Sequence, residues 1–279
     1  MELVCPRSEE LLHNKGVMFI RDTVQEIDLH ARQVRLNSGL RYSYSNLVLA
    51  LNSTASYFGI EGAKEHAFPF RTGDNAIALK RHLRDCLQRA TQTKDRFARR
   101  TLLTVAILGA GPSGVELAAT LADLLPRWYA QLNGNPNKIR VVLLNRGQEI
   151  LKGDVNTHLK KAAQKSLQQR TVPIELLTEA EITAVHPQQV EFKRHRQTDA
   201  FSAATIVWTA GTQPHPLIKA LPIPDQCRAE VEFISVLPYN CLIFQKYLLA
   251  EITRLTYKTR CRLLLKLPIS REPRSPPIL

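Results

Sequence analysis

The fold is decided by the stretch Leu103-Thr-Val-Ala-Ile-Leu108 and the glycine-rich turn Gly109-Ala-Gly-Pro-Ser-Gly114 that follows it. The apolar run lacks polar alternation, which is typical of a strand covered on both faces of a parallel sheet. A helical pattern continues from Val115 to Leu125, and a second apolar run from Ile139 to Leu144 predicts the next strand. Strand, glycine turn, helix and strand follow one another in the order of a βαβ unit. The sequence therefore predicts an α/β fold with a Rossmann-like dinucleotide-binding domain.

The spacing Gly109-x-Gly111-x-x-Gly114 predicts a pyrophosphate-binding turn. Gly109 would allow a tight turn off the strand, Gly111 would let the backbone approach the phosphates, and Gly114 would let helix and strand pack closely. The N-terminus of a helix also supplies N–H groups and positive potential to an anion. We expect this turn, with Pro112 and Ser113, to bind the nucleotide, and a glycine-rich turn without a ligand is the alternative.

Three further residues are candidates for contact with the nucleotide. Asn145 and Arg146 follow the second strand, where an acidic residue usually binds the 2′-hydroxyl of the adenosine ribose. Without that carboxylate, Arg146 could pair with a 2′-phosphate, which favours NADPH over NADH, and the alternative is a solvated turn residue. We place Glu116 in the first helical turn, either as a charge favoured by the helix dipole or as a group that orients the nicotinamide or handles a proton.

Apolar periodicity predicts the remaining elements. Alternation or continuous apolar runs predict strands, and apolar residues at helical spacing predict helices. The helix from Asn75 to Arg100 is amphipathic and basic, and we interpret it as a connection between domains. The predicted strands are Val17–Ile20, Gln33–Leu36 with a turn at Ser38-Gly39, Leu47–Leu51, three near Ile174, Ile182 and Val190, and Ala204–Trp208, and a further helix is predicted from Asn156 to Gln169. Beyond Pro224 the periodicity degrades, and we expect the Pro-rich end to be disordered.

Composition places the chain among globular proteins with an anionic neighbour. Its 279 residues predict two domains, at roughly 150 residues per domain. There are 38 Lys and Arg residues against 25 Asp and Glu residues, a net charge of +13. Such a surface suits a phosphate-bearing ligand, an acidic lipid surface or nucleic acid, and the alternative is a solvated basic surface. No recognition module supports nucleic acid, so we expect no nucleic-acid partner.

The cysteines and the hydropathy favour an intracellular protein without a metal site. The five cysteines are widely spaced and include no C-x-x-C pair, which argues against a disulfide framework and against zinc. We see neither a signal peptide nor a run of the ~18 apolar residues that would span a bilayer. We therefore expect a cytoplasmic chain whose membrane contact, if any, is peripheral.

Three segments resemble the type II NADH dehydrogenases, flavoproteins that pass electrons from NAD(P)H to quinone. Val105–Ala118 resembles the family's NAD(P)H-binding fingerprint. Tyr44–Ser53 with Tyr57–Gly62 resembles the strand and loop that precede its second domain, and Val207–Gly211 with Pro214 resembles the stretch that returns to the flavin. The resemblance runs from about residue 10 to residue 224.

This resemblance implies a flavoprotein with two dinucleotide-binding domains, attached peripherally to the cytoplasmic face of a membrane. FAD would be its cofactor, and NADH or NADPH and a quinone its substrates. Gly109, Gly111, Ser113 and Gly114 would bind the pyrophosphate, and Asn145 and Arg146 would meet the ribose. Glu116 would lie beside the nicotinamide and flavin rings, Ala210 and Gly211 would line the nicotinamide side, and Thr209 would also bind the cofactor.

The sequence also departs from this family. The family opens with a glycine-rich strand-turn-helix that binds the FAD pyrophosphate, and this chain starts after that element. Asn52 stands where the family usually has a glycine, at a turn close to the flavin, and no Gly-Asp motif follows Pro224. We therefore expect a truncated form with impaired activity, the alternative being a non-catalytic remnant that binds NAD(P)H without retaining FAD. The predicted domains are a partial FAD-binding domain at 1–70, a connecting basic helix at 71–98, an NAD(P)H-binding domain at 99–217 and a divergent tail at 218–279.

Overall fold

A computed structural model describes residues 16–51, 53–151 and 156–222, together with the backbone of 235–237 and 241–243. The chain divides into two compact units. The flanking unit comprises residues 1–53 and 214–279, and the central unit comprises residues 54–213. The domain bounds expected from the sequence differ from this division and stay a prediction. Asn52 and the Pro-rich end lie outside the described residues, as do the expectations attached to them.

Runs of consecutive strands lie at residues 24–55 and 175–214, and strands and helices are interspersed between these two runs. The strands are β1 (Val24–Asp28), β2 (Gln33–Leu36), β3 (Arg41–Ser43), β4 (Leu47–Leu49), β5 (Ser53–Ala55), β6 (Phe68–Pro69), β7 (Thr104–Leu108), β8 (Arg140–Leu144), β9 (Glu175–Leu177), β10 (Glu181–His186), β11 (Gln189–Arg194), β12 (Gln197–Ser202), β13 (Thr205–Trp208), β14 (Thr212–Pro214), β15 (Ser235–Leu237) and β16 (Cys241–Ile243). The helices are α1 (Ala63–His66), α2 (Gly73–Gln92), α3 (Arg96–Leu102), α4 (Pro112–Gln131), α5 (Thr157–Gln168) and α6 (Pro216–Ala220), with a 3-10 turn at Pro136–Lys138.

A parallel sheet of five strands forms the centre of the central unit, in the order β6, β13, β7, β8, β9. Every residue of β7 and β13 is buried, as their unbroken apolar runs predict. Alternate side chains enter two different cores: Val105 and Ile107 pack with α2 and α4, whereas Ala106 and Leu108 pack with Val190 and the β10–β12 meander. The predicted α/β, Rossmann-like fold is confirmed, and β7, α4 and β8 are its βαβ unit.

The helix predicted from Asn75 to Arg100 is two helices, so that prediction is wrong at residues 93–95. Helix α2 begins with a capping box between Thr72 and Asn75. It ends at Gln92, and the C-cap residue Thr93 has an extended backbone. The carboxylate of Asp95 then accepts hydrogen bonds from the N–H groups of Phe97 and Ala98, at 3.0 and 3.1 Å. Because an N-cap carboxylate satisfies first-turn donors, Asp95 starts a new helix.

The apolar face predicted for this region is largely confirmed in α2. Leu83, Cys86 and Leu87 are buried in the same core as β7 and α4. Ile77, which was assigned to that face, is 46% exposed, and that assignment is wrong. Residue 77 is the fifth residue of α2, in its second turn, and it precedes Leu79, the first buried residue of that helix. Helix α2 is therefore part of the core of the central unit.

The flanking unit contains the antiparallel sheet β1–β2–β3 and a small core of Leu29, Leu49, Ile218 and Leu221. The strand predicted at Gln33–Leu36 is confirmed as β2, and Gly39 turns the chain with φ 84°. The run Leu47–Leu51 forms a strand only over its first three residues, which pair in parallel with β16. Val17–Ile20 does not form a strand: its side chains are 37–62% exposed, and it pairs with none of the described strands.

An antiparallel meander, β10–β11–β12, covers one face of the central sheet. The strands predicted near Ile174, Ile182 and Val190 are confirmed as β9, β10 and β11, and the helix predicted from Asn156 is confirmed as α5, with Asn156 as its N-cap. Strand β12 was missed because its first four residues are exposed and show no apolar alternation. No helix in the described ranges has the length and apolar character needed to cross a lipid bilayer.

Candidate functional site

The glycine turn lies at the carboxyl end of β7, between that strand and α4. Gly109 has φ 117°, a conformation that an L side chain rarely adopts. Its N–H donates to the carbonyl oxygen of Leu144 at 3.0 Å, which links the turn to the end of β8. The turn therefore sits where β7 and β8 end side by side, the edge at which nucleotides bind parallel α/β sheets.

One side of this turn is closed by packing. A Cβ atom added to Gly114 would overlap the carbonyl oxygen of Gly109 and lie 2.8 Å from Oγ1 of Thr209. The Thr209 hydroxyl itself lies 2.8 Å from the Gly109 oxygen and 3.0 Å from the Leu108 oxygen, and it donates to these carbonyls. A Cβ on Gly109 would lie 2.7 Å from the backbone nitrogen of Ala210. Helix α4 can approach the strand ends this closely because no side chain separates them.

The other side of the turn is open. A Cβ added to Gly111 would meet no heavy atom within 4 Å, although Gly111 has an ordinary φ of −72°. Gly111 is the N-cap of α4 and has no side chain to accept hydrogen bonds from the first-turn N–H groups. Pro112 follows at the first helical position, and Ser113 is half-buried next to it. This side can receive an anion at the start of a 20-residue helix.

Glu116 lies in the second turn of α4, so its predicted place in the first turn is wrong. The helix begins at Pro112 rather than after Gly114, because proline suits the first helical position. Glu116 is exposed and forms no ion pair or hydrogen bond with another described side chain. Since the dipole effect falls off after the first turn, the interaction of this carboxylate with the helix dipole is weaker than the sequence predicts.

Ala210 and Gly211 follow β13 at the same sheet edge. Gly211 has φ 66°, and a Cβ there would overlap the ring of Phe58, an aromatic side chain that is itself 67% exposed. The guanidinium of Arg71 donates to the Gly211 carbonyl at 3.1 Å. These contacts fix the backbone that was predicted to line the nicotinamide side.

Trp208, the residue that ends β13, anchors the loop that carries Phe58. Its indole N–H donates to the carbonyl of Ser56 at 3.0 Å, and its ring centroid lies 5.4 Å from that of Tyr57. Burial raises the pKa of the Tyr57 phenol, and the negative charge of Glu65 raises it further. The phenol is therefore protonated at neutral pH.

Asn145 organises the turn after β8 with its side chain. Its amide nitrogen donates to the carbonyl oxygens of Gly147 and Glu149, at 2.9 and 2.7 Å. A carboxylate at this position could not donate either bond. This role of Asn145 was not predicted from the sequence, where the residue is only a candidate ribose contact, although an asparagine in a turn is a common signal for such bonds.

Arg146 is exposed and lines an open cavity of about 400 Å³. Arg146 was predicted from the sequence as a site residue, whereas the residues of the opposite wall were not: Glu179, Glu181, Lys193, His195 and Arg196. Those residues lie far along the chain, and no local motif relates them to β8.

The described side chains offer neither a cluster suited to a metal ion nor a reactive cysteine. No group of three or more His, Cys, Asp or Glu side chains in the described ranges could hold a metal ion. Cys86 is buried, its sulfur lies 3.4 Å from Nε2 of His82, and burial raises its thiol pKa. A raised thiol pKa leaves little thiolate at neutral pH, so Cys86 is a poor nucleophile.

An FAD pyrophosphate would need a second glycine turn at the start of a helix. Among the described residues of the flanking unit, the helix that could provide such a start is α6, and its five residues follow His215 rather than a glycine turn. The described residues of this unit therefore do not form an FAD pyrophosphate site.

Comparison with known proteins places the chain in a family. Residues 7–231 match the family described as pyridine nucleotide-disulphide oxidoreductase. Demethylphylloquinone reductase NdbB of Synechocystis sp. is 32% identical over 232 residues, which cover 82% of this chain and 52% of that protein. A type II NADH:quinone oxidoreductase of Staphylococcus haemolyticus is 28% identical over 211 residues, 76% of this chain and 51% of that protein. The chain thus spans about half the length of these curated relatives.

Solved structures share the fold. NDH2 from Plasmodium falciparum in complex with NADH aligns with a TM-score of 0.68 and 19% identity, over 86% of this chain and 53% of that one. The sulfide:quinone oxidoreductase of Aquifex aeolicus aligns with a TM-score of 0.59 and 17% identity, over 81% of this chain and 51% of that one. The curated relatives confirm the resemblance to type II NADH dehydrogenases, and the chain belongs to the pyridine nucleotide-disulphide oxidoreductase family.

Proposed function

We propose that the central unit binds NADH or NADPH and that the chain serves as an oxidoreductase passing hydride from NAD(P)H, by way of FAD, to a quinone. The observation that carries the nucleotide assignment is the asymmetry of the glycine turn. Gly109 and Gly114 close one side by packing, whereas Gly111 leaves open space at the N-terminus of α4. A turn that served folding alone would have no need of a glycine at position 111, where φ is ordinary and a side chain would fit.

Each predicted site residue has a role in this proposal. The turn Gly109–Gly114, with Pro112 and Ser113, binds the pyrophosphate through backbone N–H groups and the helix dipole. Asn145 and Arg146 lie at the adenosine ribose, at the end of the second strand of the βαβ unit. Thr209, Ala210 and Gly211 line the nicotinamide side, and Glu116 orients the nicotinamide or exchanges a proton near it.

The first test is a titration of the purified chain with NADH and with NADPH, followed by the fluorescence of the reduced nicotinamide. We expect saturable binding of both nucleotides, because the complete βαβ unit lies among the described residues. Competition by ADP-ribose would show that the dinucleotide, rather than the nicotinamide alone, is bound. Fluorescence that does not saturate, or that ADP-ribose leaves unchanged, would contradict the nucleotide assignment.

The flavin and quinone steps are supported by the family and by the names of the relatives. A second candidate is a chain that binds NAD(P)H without retaining FAD, and one observation favours it: the 279 residues contain a single Gly-x-Gly-x-x-Gly motif, the one assigned above to NAD(P)H. We expect little flavin to remain bound, and impaired quinone reduction.

Two measurements on the full chain distinguish these candidates. After incubation with FAD and removal of the excess, the absorption spectrum reports bound flavin, and NAD(P)H oxidation with a soluble quinone reports activity. Bound nucleotide with no flavin band and no turnover supports the second candidate. Stoichiometric FAD with a turnover of about 10 s⁻¹, the usual enzyme scale, would overturn it and support the complete oxidoreductase.

We also propose a cytoplasmic location with weak, salt-sensitive attachment to anionic membranes through α2 and α3. Lys80, Lys94 and Arg96 are exposed there, whereas Arg89 pairs with Asp85 at 3.3 Å and the guanidinium of Arg84 lies 4.8 Å from the ring centre of Trp128. Because exposed charges are screened by salt, co-sedimentation with anionic vesicles should disappear at high ionic strength. Equal binding to neutral vesicles would contradict this mechanism.

A further inference from the structure

The cavity beside Arg146 joins two segments that are distant in sequence. Arg146 comes from the turn after β8, and Lys193, His195 and Arg196 come from the hairpin that connects β11 and β12. Arg194 and Gln197 pair at the base of this hairpin, so His195 and Arg196 form a two-residue loop. Both loop residues have positive φ, 48° and 68°, as in a type I′ turn. The ladder therefore fixes the position of the hairpin tip.

Positive charge is in excess in this cavity and is not neutralised by pairing. Arg146, Lys193 and Arg196 are exposed, and none of them forms an ion pair with a described side chain. The carboxylates that also line the cavity are Glu179, which accepts a hydrogen bond from Gln148 at 3.0 Å, and Glu181, whose Cα is paired with that of Lys193 across the β10–β11 ladder. Three cationic groups thus face two carboxylates, and the cations are free to meet an added anion.

The fold places a specific part of a dinucleotide at this point. In a βαβ unit the adenosine ribose lies beyond the end of the second strand, which is β8 here. A phosphate on the 2′-hydroxyl of that ribose would carry its charge toward the cavity that Arg146 shares with the hairpin. Guanidinium groups bind phosphate oxygens in pairs, and an ammonium adds a compact charge.

We propose that Lys193 and Arg196 act together with Arg146 to select a nucleotide that carries a phosphate on the adenosine ribose, so that NADPH is bound in preference to NADH. This inference rests on the proposed nucleotide site and adds to it a second wall, supplied by the β11–β12 hairpin. Glu181 acts in the opposite sense, because its negative charge lies on the strand beside Lys193 and repels the same phosphate.

The test compares nucleotides with and without the phosphate on single variants of the full chain. Lys193→Gln removes a charge while keeping most of the side-chain length, and Arg196→Asn suits the positive φ of that position. We expect each variant to bind NADPH and 2′,5′-ADP about five-fold more weakly, with NADH and 5′-AMP changed less than about two-fold. The combined variant, and Arg146→Gln, should each lose more NADPH affinity than either single variant.

Two controls separate this role from a general effect of charge. Lys138→Gln removes an exposed positive charge from the 3-10 turn that precedes β8, at the opposite end of that strand, and should leave the NADPH preference unchanged. Glu181→Gln should strengthen NADPH binding about three-fold without strengthening NADH binding, a change that a merely structural residue would not produce. The unfolding midpoint of every variant shows whether it is folded.

The outcomes distinguish this inference from the proposed function. If the wild-type chain binds neither NADH nor NADPH, both fail together. If it binds both, but Lys193→Gln and Arg196→Asn weaken the two nucleotides equally or not at all, the hairpin inference is overturned and the nucleotide site stands. Selective loss of NADPH and 2′,5′-ADP affinity, diminished at high salt, establishes the inference.

Discussion

The two sides of the glycine turn use the same residue type for opposite reasons. On the packed side, Gly114 and Gly109 have no room for a side chain, because the carbonyl of Gly109, the hydroxyl of Thr209 and the backbone of Ala210 occupy the space. On the open side, Gly111 has room to spare and an ordinary backbone conformation. One motif thus contains glycines that the packing of the fold requires and a glycine that nucleotide binding requires. Substitutions at the two kinds of position should therefore affect stability and binding separately.

The largest effect is expected on the packed side, from Gly114→Val. The new side chain would overlap a backbone carbonyl and force α4 away from the ends of β7 and β13. We expect the free energy of unfolding to fall by about 3 kcal/mol or more. Urea denaturation followed by circular dichroism measures this, and a loss below about 1 kcal/mol would contradict the packing described here.

On the open side, Gly111→Val should leave the stability nearly unchanged and weaken nucleotide binding. The fold should keep its stability within about 1 kcal/mol, because φ is −72° and no atom lies within 4 Å of the new Cβ. Affinity for NADH and NADPH should fall by about 100-fold, because the side chain would occupy the place of the pyrophosphate. Nucleotide fluorescence titration measures the affinity, and Gly111→Ala provides a smaller step in the same direction. Unchanged affinity in Gly111→Val would rule out this turn as the nucleotide site.

Thr209→Val should reveal the contribution of hydrogen bonds to the packed side. Its hydroxyl donates to the carbonyls of Leu108 and Gly109, so valine keeps the shape and loses the donor. We expect a loss of about 1 kcal/mol in the free energy of unfolding, with Thr209→Ser retaining the hydroxyl and losing less. If the serine variant were the less stable of the two, the methyl group rather than the hydrogen bond would be responsible.

The smallest effect concerns Asp123, further along α4. Its carboxylate accepts hydrogen bonds from the backbone N–H of Thr171, at 2.9 Å, and from the guanidinium of Arg170, at 3.1 Å, and these lower its pKa. A carboxyl group with a lowered folded-state pKa stabilises the fold above its unfolded pKa, and the contribution is lost as the pH falls through the folded value.

Asp123→Asn should therefore cost about 1 kcal/mol or less at neutral pH, since the side chain is 32% exposed. The difference between wild type and variant should shrink as the pH falls below about 4, and unfolding measured across this range reports it. A difference that persisted at the acid end would show that the ionised carboxylate is not the cause.

The sequence alone predicted the glycine turn and its two flanking strands, because the signals there are local. Unbroken apolar runs and the Gly-x-Gly-x-x-Gly spacing do not depend on the rest of the fold. The break between α2 and α3 was missed although Asp95 is a good N-cap, because the apolar and basic pattern continued across it. The prediction that Glu116 lies in the first turn is wrong for a similar reason, because a local signal, Pro112, marks the start of α4.

Sequence patterns could not predict which residues form the hairpin side of the Arg146 cavity. Lys193 and Arg196 are polar residues at the end of a strand and in a turn, where charged side chains are ordinary. Their proximity to Arg146 depends on how the meander packs against the central sheet, in a shared core that includes Leu144, Val190 and Phe192. Proximity that arises from tertiary packing produces no periodic pattern in the sequence.

The position of β13 within the sheet also affects the order in which the strands of the central unit can pair during synthesis. Synthesis proceeds from the N-terminus, so β6, β7, β8, β9 and the entire meander leave the ribosome before Thr205–Trp208 does. Yet β13 is the strand that lies between β6 and β7. Until it arrives, those two strands present unpaired backbone edges, which invite association with other chains. We therefore expect a nascent chain that ends before Thr205 to expose both edges until this four-residue strand is inserted.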